Sequence, residues 1–170
     1  LTVFLKSEKT WKWFFHTSLG VSVMVGIYGI LQMAGKLTIH QGDRIDATLG
    51  NASYLAIYMA FNIFLALMYF FRQKGGVRWL YAPVIALQVF ILYSTATRGA
   101  ILGMVGGLLL AAVLMAIFSQ SKKIKISAVG ALSLIIILMG VFWFLRDSNF
   151  VKNSPVLHRF ANISLTETTT

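Results

Sequence analysis

Between residues 79 and 118 the chain carries one charged side chain, Arg98, within the stretch Tyr93-Ser94-Thr95-Ala96-Thr97-Arg98-Gly99-Ala100-Ile101-Leu102-Gly103. A continuous helix over those roughly forty residues would run about 60 Å, twice the roughly 30 Å hydrocarbon thickness of a bilayer. The apolar run must therefore fold back on itself, and Arg98-Gly99, set among hydroxyls and glycines, is where a polar turn fits. A cation costs roughly 3 kcal/mol at the bilayer centre and much less at the interface, and one retained in such a run marks function by default. Arg98 is thus expected at the membrane surface.

Composition puts the chain in the membrane class. Hydrophobic residues make up 58%, charged ones 12%, and the mean hydropathy is +0.77, against about 45–50% apolar and about 25% charged in soluble domains. The net charge of +10 does not point to nucleic acid, because the bases fall in short clusters separated by apolar spans. No cysteine is present, so thiol and disulfide chemistry drop out.

Five segments meet the length rule for a spanning helix: 11–34, 52–71, 79–97, 99–118 and 127–145. The first is too long for a signal-peptide core of about 7–15 residues and is expected to remain in the mature protein. With the N-terminus inside, the bases divide nine to six: Lys6, Lys9, Lys12, Arg72, Lys74, Arg78, Lys122, Lys123 and Lys125 inside, against Lys36, Arg44, Arg98, Arg146, Lys152 and Arg159 outside. Four of the five acids, Asp43, Asp46, Asp147 and Glu167, fall outside with the longer loops. Positive-inside bias therefore predicts a cytoplasmic N-terminus. Trp11, Trp13, Trp79, Tyr81 and Trp143 stand near span ends, as interfacial aromatics do. Two small-residue faces, Ser18/Ser22/Gly26 and Gly99/Gly103/Gly107, recur at four-residue spacing and are expected to serve helix packing.

The fold expected is an all-α membrane protein: about five transmembrane helices with short inner loops over residues 1–145, part of a larger multi-span bundle. Residues 146–170 then read as the start of a large outer loop. The chain opens on Leu1 and stops in a run of threonines, and is expected to be a fragment.

Two polar stretches carry the functional signal. In the first outer loop, Gly50-Asn51 directly before an apolar run reads as a helix start, Asn51 capping through the amide of Ser53 or Tyr54. Free amides and partial positive charge at a helix N-terminus favour a phosphate, and Arg44 stands close by. Arg98, at the turn between the third and fourth spans, is expected on the same side. Two guanidiniums and a helix N-terminus on one face suit a diphosphate whose lipid tail lies between helices. No Asp or Glu falls inside any span, which argues against proton- or cation-coupled transport and leaves Arg98 without an internal counter-ion. His40 and His158 read as surface or packing residues rather than catalysts, and His16, near the inner end of the first span, still less as a catalyst; no metal-ligand spacing, nucleophile elbow or P-loop occurs.

The loop arginine followed by Thr48-Leu49-Gly50-Asn51-Ala52-Ser53-Tyr54-Leu55-Ala56, and then Ser94-Thr95-Ala96-Thr97-Arg98-Gly99-Ala100 about forty residues later, resembles the O-antigen ligase and polymerase family. The ending Leu157-His158-Arg159-Phe160-Ala161-Asn162-Ile163-Ser164-Leu165-Thr166 looks like the start of that family's large periplasmic loop. Ser53 stands where the family often has a second Asn, and Thr97 where it often has Ser; both keep a polar side chain. The resemblance implies a bacterial inner-membrane transferase, metal-independent and without cofactor. It would move a glycan from undecaprenyl diphosphate to a glycan, lipid or protein acceptor. It further implies that Arg44 and Arg98 hold the donor diphosphate, that Asn51, Tyr54 and Gly99 support them, and that the catalytic residues lie beyond Thr170. A non-catalytic or transport module that binds an anionic lipid is the alternative, with a plain membrane scaffold as the blandest one.

Overall fold

The structure, a computed structural model, describes residues 7–40, 42, 44–145 and 148. The expected outer-loop segment, including His158 and Arg159, lies outside the described residues apart from Ser148. Among the described residues five α-helices follow one another: α1 (Glu8–Met33), α2 (Ala52–Arg72), α3 (Tyr81–Ser94), α4 (Arg98–Phe118) and α5 (Lys122–Leu145). Short 3-10 turns at Ala47–Leu49 and Gly76–Leu80 lead into α2 and α3. All five helical segments are long and apolar enough to cross a bilayer once the second turn is counted with α3. The protein is an all-α, multi-pass membrane protein.

The chain divides into two compact units, Leu1–Ala100 and Ile101–Thr170. In the first, α2 is the central helix. Its residues Ala52, Leu55, Ala56, Met59, Asn62, Ile63, Ala66 and Tyr69 are buried, the i, i+3, i+4, i+7 stripe of a helix packed along its length. The Ser18/Ser22/Gly26 face of α1 is in contact: Ser18 Oγ donates to Asn62 Oδ1 at 3.0 Å, and Gln88 Nε2 donates to Ser22 Oγ at 2.7 Å. A methyl group on Gly26 would sit 3.1 Å from Leu87, and one on Gly29 3.2 Å from Ile91, so α1 and α3 meet backbone to side chain. Lipid gives no hydrophobic drive between helices, so close small-residue contacts and cross-helix hydrogen bonds of this kind hold the unit together.

At one end of this unit, His16 bridges the Lys12 carbonyl (2.6 Å) and the Tyr81 hydroxyl (2.9 Å), and the rings of Tyr69 and Tyr81 stack at 5.9 Å. An apolar cavity of about 250 Å³ opens beside it, walled by Leu19, Val23, Leu80 and Val84. In the second unit, the outward faces of α4 and α5 are almost wholly apolar, with Phe118, Ile126 and Phe144 all exposed, as a lipid-facing surface requires. A methyl added at Gly99 or Gly103 would touch nothing. Of the two small-residue faces, that of α1 packs against α2 and α3 within the first unit.

The helix ends explain where the chain turns. α1 closes on Gly35 in the left-handed conformation (φ 70°), with Gly35 N donating to Gln32 O and Lys36 N to Leu31 O at 3.0 Å each, a Schellman cap in which glycine fits without strain. α3 closes at Ala96, also left-handed (φ 51°), its amide donating to Tyr93 O at 3.0 Å. The left-handed region costs an L-residue about 1–2 kcal/mol, partly offset by the greater freedom glycine loses on folding. Ala96→Gly is therefore expected to raise stability by about 0.5–1 kcal/mol, measured as a higher thermal midpoint in detergent; a lower midpoint would contradict the strain at this turn.

Candidate functional site

The other end of the first unit gathers the C-terminus of α1, the N-terminus of α2, the C-terminus of α3 and the first residues of α4. The α1–α2 loop lies over them, held by three consecutive side chains that point three ways. Arg44 reaches the α3–α4 turn: Nε donates to the Thr95 carbonyl at 3.0 Å and Nη2 to Thr97 Oγ1 at 2.7 Å. Ile45 is buried and drops towards Gly29. Asp46, with no exposed surface, turns to Gln32 and His40.

Gln32, one residue before the end of α1, organises this corner. Its Nε2 donates to Thr38 O and to Asp46 Oδ1, both at 2.7 Å, and its Oε1 accepts the amides of Ala47 (2.8 Å) and Asp46 (3.3 Å). All four hydrogen-bonding positions of a carboxamide are filled. Asp46 Oδ2 in turn accepts the His40 backbone amide at 3.0 Å and faces the His40 ring Nδ1 at 3.1 Å. Burial pushes the Asp46 carboxyl up, but the hydrogen bonds from Gln32 and from the His40 amide and ring, with the charge of His40, outweigh it and hold the group below the ordinary carboxylate range. Ala47, directly after Asp46, is forced to a positive φ of 47°, a strained residue of the kind that gathers at functional corners.

The predicted site residues fall as follows. Asn51 caps α2, its Oδ1 accepting the Ser53 amide at 2.8 Å. Thr97 Oγ1 lies 3.4 Å from the Ala52 carbonyl, so the starts of α2 and α4 are neighbours. Arg98 is the first residue of α4 and is exposed, as is Gly99. Among the described residues neither Arg44 nor Arg98 has a carboxylate within ion-pair distance, the only ion pairs being Lys12–Glu8 and His40–Asp46. Tyr54, in the first turn of α2, is exposed. The structure thus brings Arg44 into contact with the residue directly before Arg98.

No protein-family model, curated protein or solved structure matches the chain. What the corner does must come from its own chemistry. Arg98 sits at a helix N-terminus, where the macrodipole opposes a cation; the start of a second helix lies near the residue before it, and the Arg44 guanidinium bonds that same residue. A helix N-terminus and a cation together favour an anion, and among the described residues the other Nη group of Arg44 has no hydrogen bond. Among the described residues no group of three or more His, Cys, Asp or Glu side chains is placed to hold a metal ion.

Gln32, His40, Asp46 and Thr95 were not singled out as site residues from the sequence. A signal for them exists in hindsight: a carboxamide at the end of an apolar span, followed by an Arg-Ile-Asp triplet whose apolar middle residue anchors the loop.

Proposed function

We propose that this corner binds the diphosphate of a lipid-linked glycan, and that the chain is part of a bacterial inner-membrane glycan transferase of the O-antigen ligase and polymerase type. The orientation that goes with it puts the N-terminus in the cytoplasm and the α1–α2 loop and α3–α4 turn on the periplasmic side. The observation that carries the proposal is the Arg44–Thr97 contact, which joins the two motifs of the family resemblance into one cationic face at two helix N-termini.

Glycosyl transfer breaks the bond between the sugar anomeric carbon and the diphosphate oxygen, and charge develops on that leaving group. Donors fixed in advance where charge develops contribute most to such a step. Arg44 is fixed by its two hydrogen bonds to the turn, and Arg98 follows Thr97 directly, exposed at the start of α4. Arginine suits the role because its planar fork grips two phosphate oxygens, whereas lysine offers a point charge.

In the full-length protein in membranes, Arg98→Ala is expected to lower glycan transfer by about 100-fold or more, the scale of losing one charge-stabilising donor, with Arg98→Lys intermediate. Wild-type transfer by both variants at normal protein levels would overturn the proposal. Binding of lipid diphosphate without transfer, with purified donor and acceptor present, would instead favour the anionic-lipid-binding module.

A further inference from the structure

The apolar cavity beside His16 and Tyr81 lies at the opposite end of the first unit from the arginine corner, and the diphosphate reading leaves it unused. Leu19, Gly20 and Val23 of α1 form one wall; Val77 and Leu80 of the second 3-10 turn, with Val84 of α3, form the other. His16 and Tyr81 line it too, but their polar atoms are occupied by each other and by the backbone. The Lys12 carbonyl can only accept, so His16 Nδ1 donates to it and Nε2 accepts the Tyr81 hydroxyl. What the walls present is hydrocarbon. Gly20 makes the room: a methyl added there would touch nothing, whereas at Gly26 and Gly29, further along α1, it would press on Leu87 and Ile91.

The rim is cationic. Lys12, Trp13 and His16 wall a depression that shares His16 with the cavity. Arg78 stands in the turn between Val77 and Leu80, its guanidinium 5.4 Å from the centre of the Trp79 ring. Arg72, at the end of α2, acts electrostatically on Tyr69, whose ring stacks on that of Tyr81. With Lys9 and Lys74, five bases stand at this end against one acid, Glu8, among the described residues. Glu8 reaches Lys12 only at 3.8 Å with both side chains exposed, a contact that contributes little. Trp13 and Trp79 are exposed, as rings at the headgroup level of a bilayer are.

We propose that this end of the first unit binds one anionic phospholipid, its phosphate at Lys12 and one acyl chain in the cavity between α1 and the start of α3. Basic pockets between spanning helices are where anionic headgroups settle, and here the pocket continues into an apolar slot. The site stands apart from the arginine corner and does not depend on the transferase reading.

Native mass spectrometry of the purified full-length protein, released from micelles carrying equal amounts of phosphatidylglycerol and phosphatidylcholine, counts the lipid retained. The wild-type protein is expected to hold phosphatidylglycerol over phosphatidylcholine by about fivefold or more, the scale of one base beside an anionic lipid. Gly20→Leu fills the cavity from its own wall. It is expected to lower bound phosphatidylglycerol about tenfold, as excluding two or so buried methylenes should, with a thermal midpoint unchanged or higher because leucine replaces glycine in a helix. Lys12→Gln, at an exposed position that folding does not need, is expected to bring the two lipids close to parity. Equal retention of the two lipids by the wild type, or an undiminished preference in Lys12→Gln, would overturn the proposal. So would wild-type retention in Gly20→Leu, which would reduce the effect to surface charge with no chain in the cavity.

Discussion

Arg44→Ala is expected to lower the stability of the first unit by about 2–3 kcal/mol and glycan transfer by about 100-fold or more. The first figure follows from losing two hydrogen bonds from a charged donor, each contributing roughly 1.5–3 kcal/mol when shielded and less for a partly exposed group such as this one. The second follows from removing a fixed positive donor from the leaving group. The variant also removes the guanidinium from Thr97 Oγ1 and the Thr95 carbonyl, so the α3–α4 turn loses its tie to the α1–α2 loop. Arg44→Lys separates the two effects. Lysine can reach the Thr95 carbonyl or Thr97 but cannot span both as a planar fork, so it should recover part of the stability and little of the transfer. Thermal unfolding in detergent and a membrane transfer assay read the two quantities independently.

Asp46→Ala is expected to cost about 3 kcal/mol, because it leaves the His40 amide and one hydrogen of the Gln32 carboxamide without an acceptor in a buried corner. Asp46→Asn does not escape the cost. Its nitrogen must face either Gln32 Nε2 or the His40 amide, and Gln32 cannot turn over because its oxygen holds the amides of Asp46 and Ala47. The sign of the pH dependence follows from the same contacts. A carboxyl held below its ordinary value near 3.8 contributes stability that is present above that value and is lost as pH falls through the lower folded value. The stability gap between wild type and Asp46→Ala should thus be present at about pH 5 and close as pH falls below about 4. A gap that persists or widens as pH falls well below about 4 would contradict the account of this carboxylate.

Hydropathy alone placed the spans, because a bilayer fixes the length of any segment that crosses it. The expected 52–71 and 99–118 became Ala52–Arg72 and Arg98–Phe118. The ends moved where local chemistry outweighs hydropathy. α3 stops at Ser94 rather than at residue 97, since Ala96 turns left-handed and Thr95 Oγ1 takes up the Leu92 carbonyl at 2.7 Å. α5 begins at Lys122 rather than at residue 127, because lysines continue a helix readily outside the apolar stretch. The Asn51 cap was legible because capping is a matter of neighbours in sequence.

The Arg44–Thr97 and Gln32–Asp46 contacts join residues 53 and 14 positions apart, and no local pattern encodes them. They depend on how α1, α2 and α3 pack, which is set by small residues and in-span polar groups whose partners hydropathy does not reveal. His40 read as a surface or packing histidine for the same reason: the buried acid behind it was visible only once Gln32 had drawn Asp46 inwards.

The central claim is that the cationic corner recognises a lipid diphosphate, and the most direct measurement is binding of undecaprenyl diphosphate against uncharged undecaprenol to the purified full-length protein in nanodiscs. The wild-type protein should prefer the diphosphate by at least about tenfold, roughly the 1.4 kcal/mol of one modest charge-assisted contact, and Arg44→Ala and Arg98→Ala should each bring the two lipids close to parity. Equal binding of the two lipids by the wild type, or an undiminished preference in both variants, would contradict it.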